Sequence, residues 1–327
     1  VTEGNRTSDL IADIHDAADK FQRDGSTRGD LKLVSRALRE LRYALKVFQP
    51  FRRNLKVTVF GSARTKPEAL AYQQAVDFGA KIAELDWMVI TGAAAGIMEA
   101  GHEGAGREKS LGLNILLPFE QEANPVIDGD PKLVHMKYFF TRKLMFVKEC
   151  QAVVCFAGGF GTLDEALEVL TLLQTGKREL VPVVLIDEPG GSYWKNFQRF
   201  VDDSLLAGGM ISPQDINLYL LTDSVDEAVE ELATFYKNYH SMRYVKHQLV
   251  FRLKAAPTAA AISTINNEFR DILVSGDFEL SDRLADENDD PETDHFARLV
   301  FHFDRRNHGR LRCLIDFLNR CPVVDAS

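Results

Sequence analysis

No stretch of the chain approaches the roughly 18 consecutive apolar residues of a membrane-spanning helix, and positive charge is not in overall excess. With 39 Lys and Arg against 48 Asp and Glu in 327 residues, the formal net charge is −9. That excludes the positive field on which non-specific nucleic-acid binding depends. A phosphate can then be held only by a local cluster of donors and cations. Cysteine is scarce as well. Cys150, Cys155, Cys313 and Cys321 match no zinc or redox spacing, and Cys155, inside an apolar run, reads as a small buried hydrophobe. No ligand cluster suggests a metal, and no cofactor is expected. The first twenty residues lack the basic-then-apolar order of a signal peptide. The expectation is a reduced, cytoplasmic protein with no membrane and no nucleic-acid partner. Proline is limited to 11 residues while 45% of the chain is hydrophobic, so a buried core is expected and wholesale disorder is not.

What the chain does contain is periodic apolar patterning in three blocks. In residues 1–54, Leu10, Ile11, Ile14, Ala17, Ala18 and Phe21 recur at helical spacing, as do Leu33, Val34, Ala37, Leu38, Leu41, Ala44, Leu45 and Phe48. "RDGSTRGD" separates the two patterns and Pro50 closes the second, so this block reads as a helical N-terminal extension that packs on the main domain or across a dimer interface. In residues 55–243, β-rich runs alternate with helical patterns: Val57 to Phe60, Trp87 to Ile90, Leu113 to Leu117, Leu133 to Tyr138, Ala152 to Phe156, Pro182 to Ile186 and Leu218 to Leu221. This alternation predicts a doubly wound, Rossmann-like α/β domain with a parallel sheet. Runs such as "AVVCF" and "VPVVLI" lack polar alternation, as strands covered on both faces do. Residues 244–327 read strand, helix, strand, strand, helix, a small α+β unit of ferredoxin-like type. Within it, "DRLADENDDPETD" reads as a solvated acidic linker.

Ligands of doubly wound sheets sit at the carboxyl ends of the strands, which directs attention to the turns after Phe60, Ile90 and Phe156. After Phe156, "AGGFGTLDE" puts Gly158, Gly159 and Gly161 before a helix that Thr162 is expected to start. Glycines allow a ligand close to the backbone, and the free N–H groups of a helix start favour an anion. The Thr162 hydroxyl can cap the helix or donate to a phosphate oxygen. A dinucleotide fingerprint fails because Asp164 holds the position of its last glycine, and no lysine follows to make a Walker A loop. Glu165 then has two readings: a capping-box acid three residues beyond a Thr162 cap, or a carboxylate facing the sugar beside the phosphate.

Three further segments belong with this turn. "VTVFGSAR" puts Gly61, Ser62 and Arg64 on the first strand-to-helix turn, and "VITGAAAGIMEAGHEGAG" puts Gly92, Gly96 and Glu99 on the second. "YFFTRKLMFVKEC" puts Arg142 and Lys143 at a helix start one crossover before the phosphate turn. In an acidic chain, an arginine there is a candidate anion ligand.

These four segments, in this order, resemble the LOG family of cytokinin riboside 5′-monophosphate phosphoribohydrolases and bacterial nucleotide 5′-monophosphate nucleosidases, long labelled possible lysine decarboxylases. The family's Pro-Gly-Gly-x-Gly-Thr-x-x-Glu is matched from Ala157 to Glu165, its Arg-Lys-x-x-Met segment by "RKLMF", its Gly-Ile-Met-Glu-Ala stretch by "GIMEAGHEGA", and its third-strand sequence by "LGLNILLPFEQEANP". Ala157 replaces the motif's proline, "GAAAG" replaces a more glycine-rich stretch, and His102 stands where asparagine is usual. The resemblance covers roughly residues 55–240, with the flanking blocks looking like those of a longer bacterial subgroup. It implies that Arg142 and Glu165 form the catalytic pair. Gly158, Gly159, Gly161 and Thr162 would bind the 5′-phosphate, with Gly61, Ser62, Gly92, Gly96, Glu99 and Lys143 also contributing to substrate binding. It further implies a nucleoside 5′-monophosphate substrate, a homodimer or higher homo-oligomer, and no metal or cofactor.

A carboxylate beside a ribose can stabilise the oxocarbenium-like sugar of N-glycosidic cleavage and help activate water. The competing reading is a nucleotide-binding sensor or carrier without turnover. A literal decarboxylase would hold pyridoxal on a lysine, and Lys143 lacks that context. In the C-terminal unit, "FHFDRRNHGRLRCLIDFL" faintly resembles ACT-type regulatory domains; the unit reads first as a dimerisation or packing domain, with a small-molecule effector near Asp304 to Arg310 as the alternative.

Overall fold

The protein is described from a computed structural model covering residues 7–117, 122–287 and 291–324. Residues 118–121 of the third-strand segment and 288–290 of the acidic stretch lie outside the described residues. Helices α1 (Ser8–Arg23) and α2 (Arg28–Phe48) form the N-terminal extension. The turn before α2 ends in a capping box, in which the Thr27 hydroxyl accepts from Asp30 N and the Asp30 carboxylate accepts from Thr27 N. Only Ala44 and Phe48 of α2 are buried, and α1 buries nothing.

Seven strands follow: β1 (Lys56–Phe60), β2 (Met88–Thr91), β3 (Ser110–Ile115), β4 (Leu133–Met136), β5 (Ala152–Phe156), β6 (Val183–Ile186) and β7 (Leu220–Thr222). The crossover helices are α3 (Leu70–Glu84), α4 (Ile97–Lys109), α5 (Phe139–Glu149), α6 (Phe160–Gln174) and α7 (Tyr193–Phe200), with α8 (Val225–Phe235) after the last strand. All pairings are parallel, in the order β4-β3-β2-β1-β5-β6-β7. The expected Rossmann-like sheet is therefore present. Strand β3 starts and ends earlier than Leu113–Leu117, because Ser110 to Gly112 already pair with Val89 to Thr91.

Burial explains the lack of polar alternation. Val57, Val59, Ala152, Val154 and Phe156 face one core with α3, α4 and α8. Phe60, Val153 and Cys155 face a second core, which continues through α5 and α6 into the C-terminal unit. Strand order reverses between β1 and β5, which pair in register from Val57↔Ala152 to Phe60↔Cys155. That reversal opens a crevice at their carboxyl ends.

The C-terminal unit starts earlier than its apolar pattern announces. Strand β8 (Tyr239–Val245) spans the expected 243/244 boundary and forms a hairpin with β9 (Gln248–Leu253). Helix α9 (Ala259–Glu268), β10 (Leu273–Ser281), β11 (Ala297–Phe303) and α10 (His308–Arg320) complete an antiparallel sheet of order β10-β11-β9-β8. This is the ferredoxin-like strand order with one edge strand supplied from before the first strand rather than after the last helix.

The reading of residues 282–294 as a solvated linker needs correction. Glu287 is 1% exposed. Its carboxylate accepts from Arg252 Nε and Nη2 and from Arg298 Nε, each at 3.0 Å. A buried carboxylate between two buried guanidiniums pins the described part of the loop to the sheet.

Candidate active site

The turns after β1, β2 and β5 open onto one cleft of about 860 Å³ at the switch point. Gly61, Ser62, Gly92, Arg142, Gly158, Gly159, Gly161, Thr162 and Glu165 all line it, brought together from four separate segments. The turns are tied to each other by backbone bonds: Ser62 N donates to Ala157 O (3.2 Å) and Ile97 N to Ser62 O (3.1 Å). Such close approach needs glycine. A Cβ on Gly61 would lie 2.5 Å from Ile97 Cγ2, and Gly96 combines a φ of +68° with a Cβ position 2.3 Å from Ser62 O. Gly96 thus supports the crevice from behind and does not line it.

Helix α6 begins one residue after Gly159, its N-cap, so Thr162 is its third residue and not the cap. The capping-box reading of Glu165 therefore fails: Thr162 makes no side-chain cap bond, and Glu165 lies a turn further in. At Gly159 and Gly161 a Cβ would meet nothing within 4 Å, and neither has positive φ. The protein itself does not require glycine at these two positions. Their bare faces open into the cleft beside the unpaired N–H groups of the helix start, a ready anion cradle.

Glu165 is 5% exposed, and its Oε2 has no hydrogen-bond partner. Burial pushes its carboxyl up to about 7, against the pull of Lys143 and Arg142. Arg142 comes from the first turns of α5, with its guanidinium carbon 5.1 Å from the centre of the Phe139 ring and 5.6 Å from that of Phe146. Burial lowers its pKa, and its Nε is also without a partner. The cleft thus combines an unsatisfied carboxylate, an unsatisfied guanidinium and a backbone cradle.

Two other expected ligands stand outside the lining. Lys143 points to the outer side of α6, with Nζ 2.8 Å from Asp164, 3.8 Å from Glu168 and 4.0 Å from Glu165 Oε2. It does not line the cleft and reaches it only through the field it puts on Glu165. Glu99, in the first turn of α4, adds to the negative field around Tyr72 instead of the cleft. His102, which stands where asparagine is usual in the family motif, is fully buried behind the second turn. Its Nε2 lies 3.1 Å from both Thr91 Oγ1 and Leu111 O, while Asn124 Nδ2 sits 3.3 Å from its Nδ1. Burial holds it neutral, its pKa down at about 4. It shapes the Gly92–Gly96 turn, in which Ala93 has a φ of +58°, and touches no ligand space.

Sequence reasoning missed Tyr193, Asn114 and the aromatic wall. The Tyr193 hydroxyl donates to Gly158 O at 2.7 Å and fixes the glycine turn from α7. Asn114, one residue before the end of β3, lines the cleft alongside Met98, Phe139, Phe146 and the 92% exposed Phe160. These residues are spread from position 98 to position 193 and share no local motif; only the strand-end rule could have suggested Asn114.

Residues 91–232 match the family model described as "Possible lysine decarboxylase". The chain is similar to two cytokinin riboside 5′-monophosphate phosphoribohydrolases of Arabidopsis thaliana. One, LOG3, is 30% identical over 55% of this chain and 82% of its own length. The other, LOG1, is 29% identical over 36% of this chain, and the match spans about half (53%) of its length. Among solved structures, the molybdenum cofactor binding protein of Rippkaea orientalis is 19% identical with a TM-score of 0.39, over 54% of this chain and 94% of that one. A molybdenum cofactor carrier protein of Chlamydomonas reinhardtii is 22% identical with a TM-score of 0.37, with the same coverage.

Proposed function

Since the chain belongs to the LOG family, we propose that it hydrolyses the base–ribose bond of a nucleoside 5′-monophosphate, releasing free base and ribose 5-phosphate. The observation that carries this reading is Glu165, a buried carboxylate with an unsatisfied oxygen beside an anion cradle. A protein that only bound phosphate would lose affinity by placing it there. The 5′-phosphate sits on the backbone N–H groups of Gly159 and Gly161 and on the Thr162 hydroxyl, compensated by Arg142. The ribose then lies over Glu165, and the base faces Asn114, Met98 and the aromatic side chains.

In the reaction the C1′–N bond breaks with its electron pair leaving on the base, and positive charge grows on C1′ and the ring oxygen. The Glu165 carboxylate stabilises that charge and takes a proton from the water whose oxygen bonds to C1′. The proton then passes to the departing base. Binding energy from the phosphate orients the sugar. Every step uses groups of this chain and water, and Lys143 has no part as a Schiff-base nucleophile. Burial favours its neutral form, but the hydrogen bond to Asp164 and the charges of Glu165 and Glu168 outweigh that and raise its pKa.

The test is a panel of nucleoside monophosphates, cytokinin ribosides and AMP among them, with free base measured chromatographically. Turnover is expected in the wild type and its loss in Glu165→Gln, with nucleotide binding retained. Tight binding without base release would instead establish a nucleotide sensor or carrier.

The same reading includes a homodimer. Phe140 on α5, and Val34 and Leu38 on α2 packed against it, leave apolar side chains exposed. A second copy covers them in this proposal. Phe140→Asp should then lower the sedimentation mass to that of a monomer.

A further inference from the structure

A second cleft of about 960 Å³ lies at the opposite end of α5 and α6 from the catalytic one. It is bounded by all three parts of the chain: residues 52–55 after the N-terminal helices, the end of α5 and the α6–β6 loop, and β8 with residues 292–296 of the C-terminal unit. In a protein of net charge −9 this cleft is basic. Arg52, Arg53, Lys148, Lys177, Arg178 and Lys254 line it, against Glu179 and Glu292. Arg53 pairs with Glu292 and Lys148 with Glu149. Among the described residues, Arg52, Lys177, Arg178 and Lys254 have no carboxylate at ion-pair distance.

Two buried polar groups at the cleft also go unanswered. Tyr239 is 1% exposed, and its hydroxyl has no hydrogen-bond partner. Arg178 donates through Nη2 to Cys150 O, while its buried Nη1 has no partner. Buried polar groups left without partners are uncommon and call for a ligand or ordered water. Tyr236 and Phe296 supply aromatic surface between the cations. Clustered, unneutralised cations with aromatic walls fit a ring bearing several phosphates.

We propose that this cleft is a second ligand site, which takes a nucleoside di- or triphosphate with its phosphates on Arg52, Lys177, Arg178 and Lys254. Both helices that carry the catalytic pair run between the two clefts. Helix α5 holds Arg142 near its start and Val147 and Lys148 near its end, while α6 holds Glu165 near its start and Leu172 near its end. A ligand that ties the α6–β6 loop to the C-terminal unit therefore bears on the placement of Arg142 and Glu165. The Asp304–Arg310 turn, by contrast, is occupied by its own contacts. Asp304 caps Arg306 N and Asn307 N, and Gly309 packs against Gln214 O.

The test is calorimetric titration of the full chain with ATP, and separately with inorganic tripolyphosphate, in saturating ribose 5-phosphate to fill the catalytic cleft. ATP should bind one site per chain, and Arg52→Glu with Lys177→Glu should weaken it by about tenfold or more. Both residues are exposed, so the variant keeps the fold. Tripolyphosphate binding as tightly as ATP would overturn the nucleoside part of the proposal. ATP binding that ribose 5-phosphate abolishes, or that the double variant leaves unchanged, would overturn the site itself. None of these readouts requires turnover, so failure here is distinct from failure of the proposed hydrolysis.

Discussion

A carboxylate that must be charged to act, yet is kept from water, makes opposite demands on catalysis and stability. The folded-state pKa of Glu165, about 7, lies above its ordinary value of 4.5. Between these values the folded protein binds more protons than the unfolded one, so this group's contribution falls as pH rises through the interval and then levels off. Glu165→Gln removes the charge. It should raise the stability measured by urea melts at pH 8, on the order of 1–2 kcal/mol after solvent screening in an open cleft. The gain should shrink toward pH 5. Catalysis runs the other way: kcat/KM should rise with pH along a limb centred near 7. Lys143→Met removes a positive neighbour of the carboxylate while leaving the cleft lining intact. The limb should then move to higher pH by roughly half a unit to one unit, a shift that a purely structural role for Lys143 would not produce. At this scale the sequence was half legible. Residue types and order pointed to Arg142 and Glu165, because strand ends and helix starts are local signals. Lys143 and Glu99 could not be separated from true lining residues, since which side of a helix turn faces the cleft depends on how the helix packs.

The glycine turn illustrates the same limit for elements, because its glycines are there for different reasons. Gly158 is held by packing: a Cβ would lie 2.1 Å from Thr162 Oγ1 and 3.0 Å from Ser62 N. Gly158→Ala should therefore cost about 1–3 kcal/mol of stability through overpacking, read as a lower melting temperature. Gly161 has free space around it and lies inside α6. Gly161→Ala should stabilise the helix by roughly 0.5–1 kcal/mol, yet raise KM for nucleoside monophosphates by placing a methyl group where the phosphate approaches. A higher melting temperature together with an unchanged KM would show that the phosphate does not sit there. Periodicity located nearly every strand of the main sheet because those strands are covered on both faces and read as apolar runs. Strand β8 escaped notice because its sequence, "YHSMRYV", is neither an apolar run nor an alternation: its buried residues Tyr239, Met242 and Val245 lie three apart, with a register irregularity between Tyr239 and Ser241.

For the whole molecule, the informative group is the buried Arg252–Glu287–Arg298 cluster, which the sequence presented as part of a solvated acidic run. Composition cannot tell one buried acid from its exposed neighbours; the partners lie 35 and 11 residues away on β9 and β11. Burial alone would raise the pKa of Glu287, but hydrogen bonds from Arg298, Leu284 N and Arg252 outweigh it and hold the carboxyl below its usual range. The sign is therefore opposite to that of Glu165: its stabilisation is present above about pH 4.5 and is lost as pH falls through the lower folded value. Glu287→Ala removes the carboxylate that Arg252 and Arg298 share in the interior, at a cost of about 3–5 kcal/mol. The second core is continuous from the parallel sheet into the C-terminal sheet, through Leu173, Phe235 and Leu314. Loss of the cluster should thus lower a single cooperative urea transition rather than release the unit alone. At low denaturant the variant should retain the wild-type kcat, because Glu287 lines neither cleft. Two separated transitions, with the first confined to the C-terminal unit, would mean instead that the unit melts independently and that the shared core does not couple the two sheets.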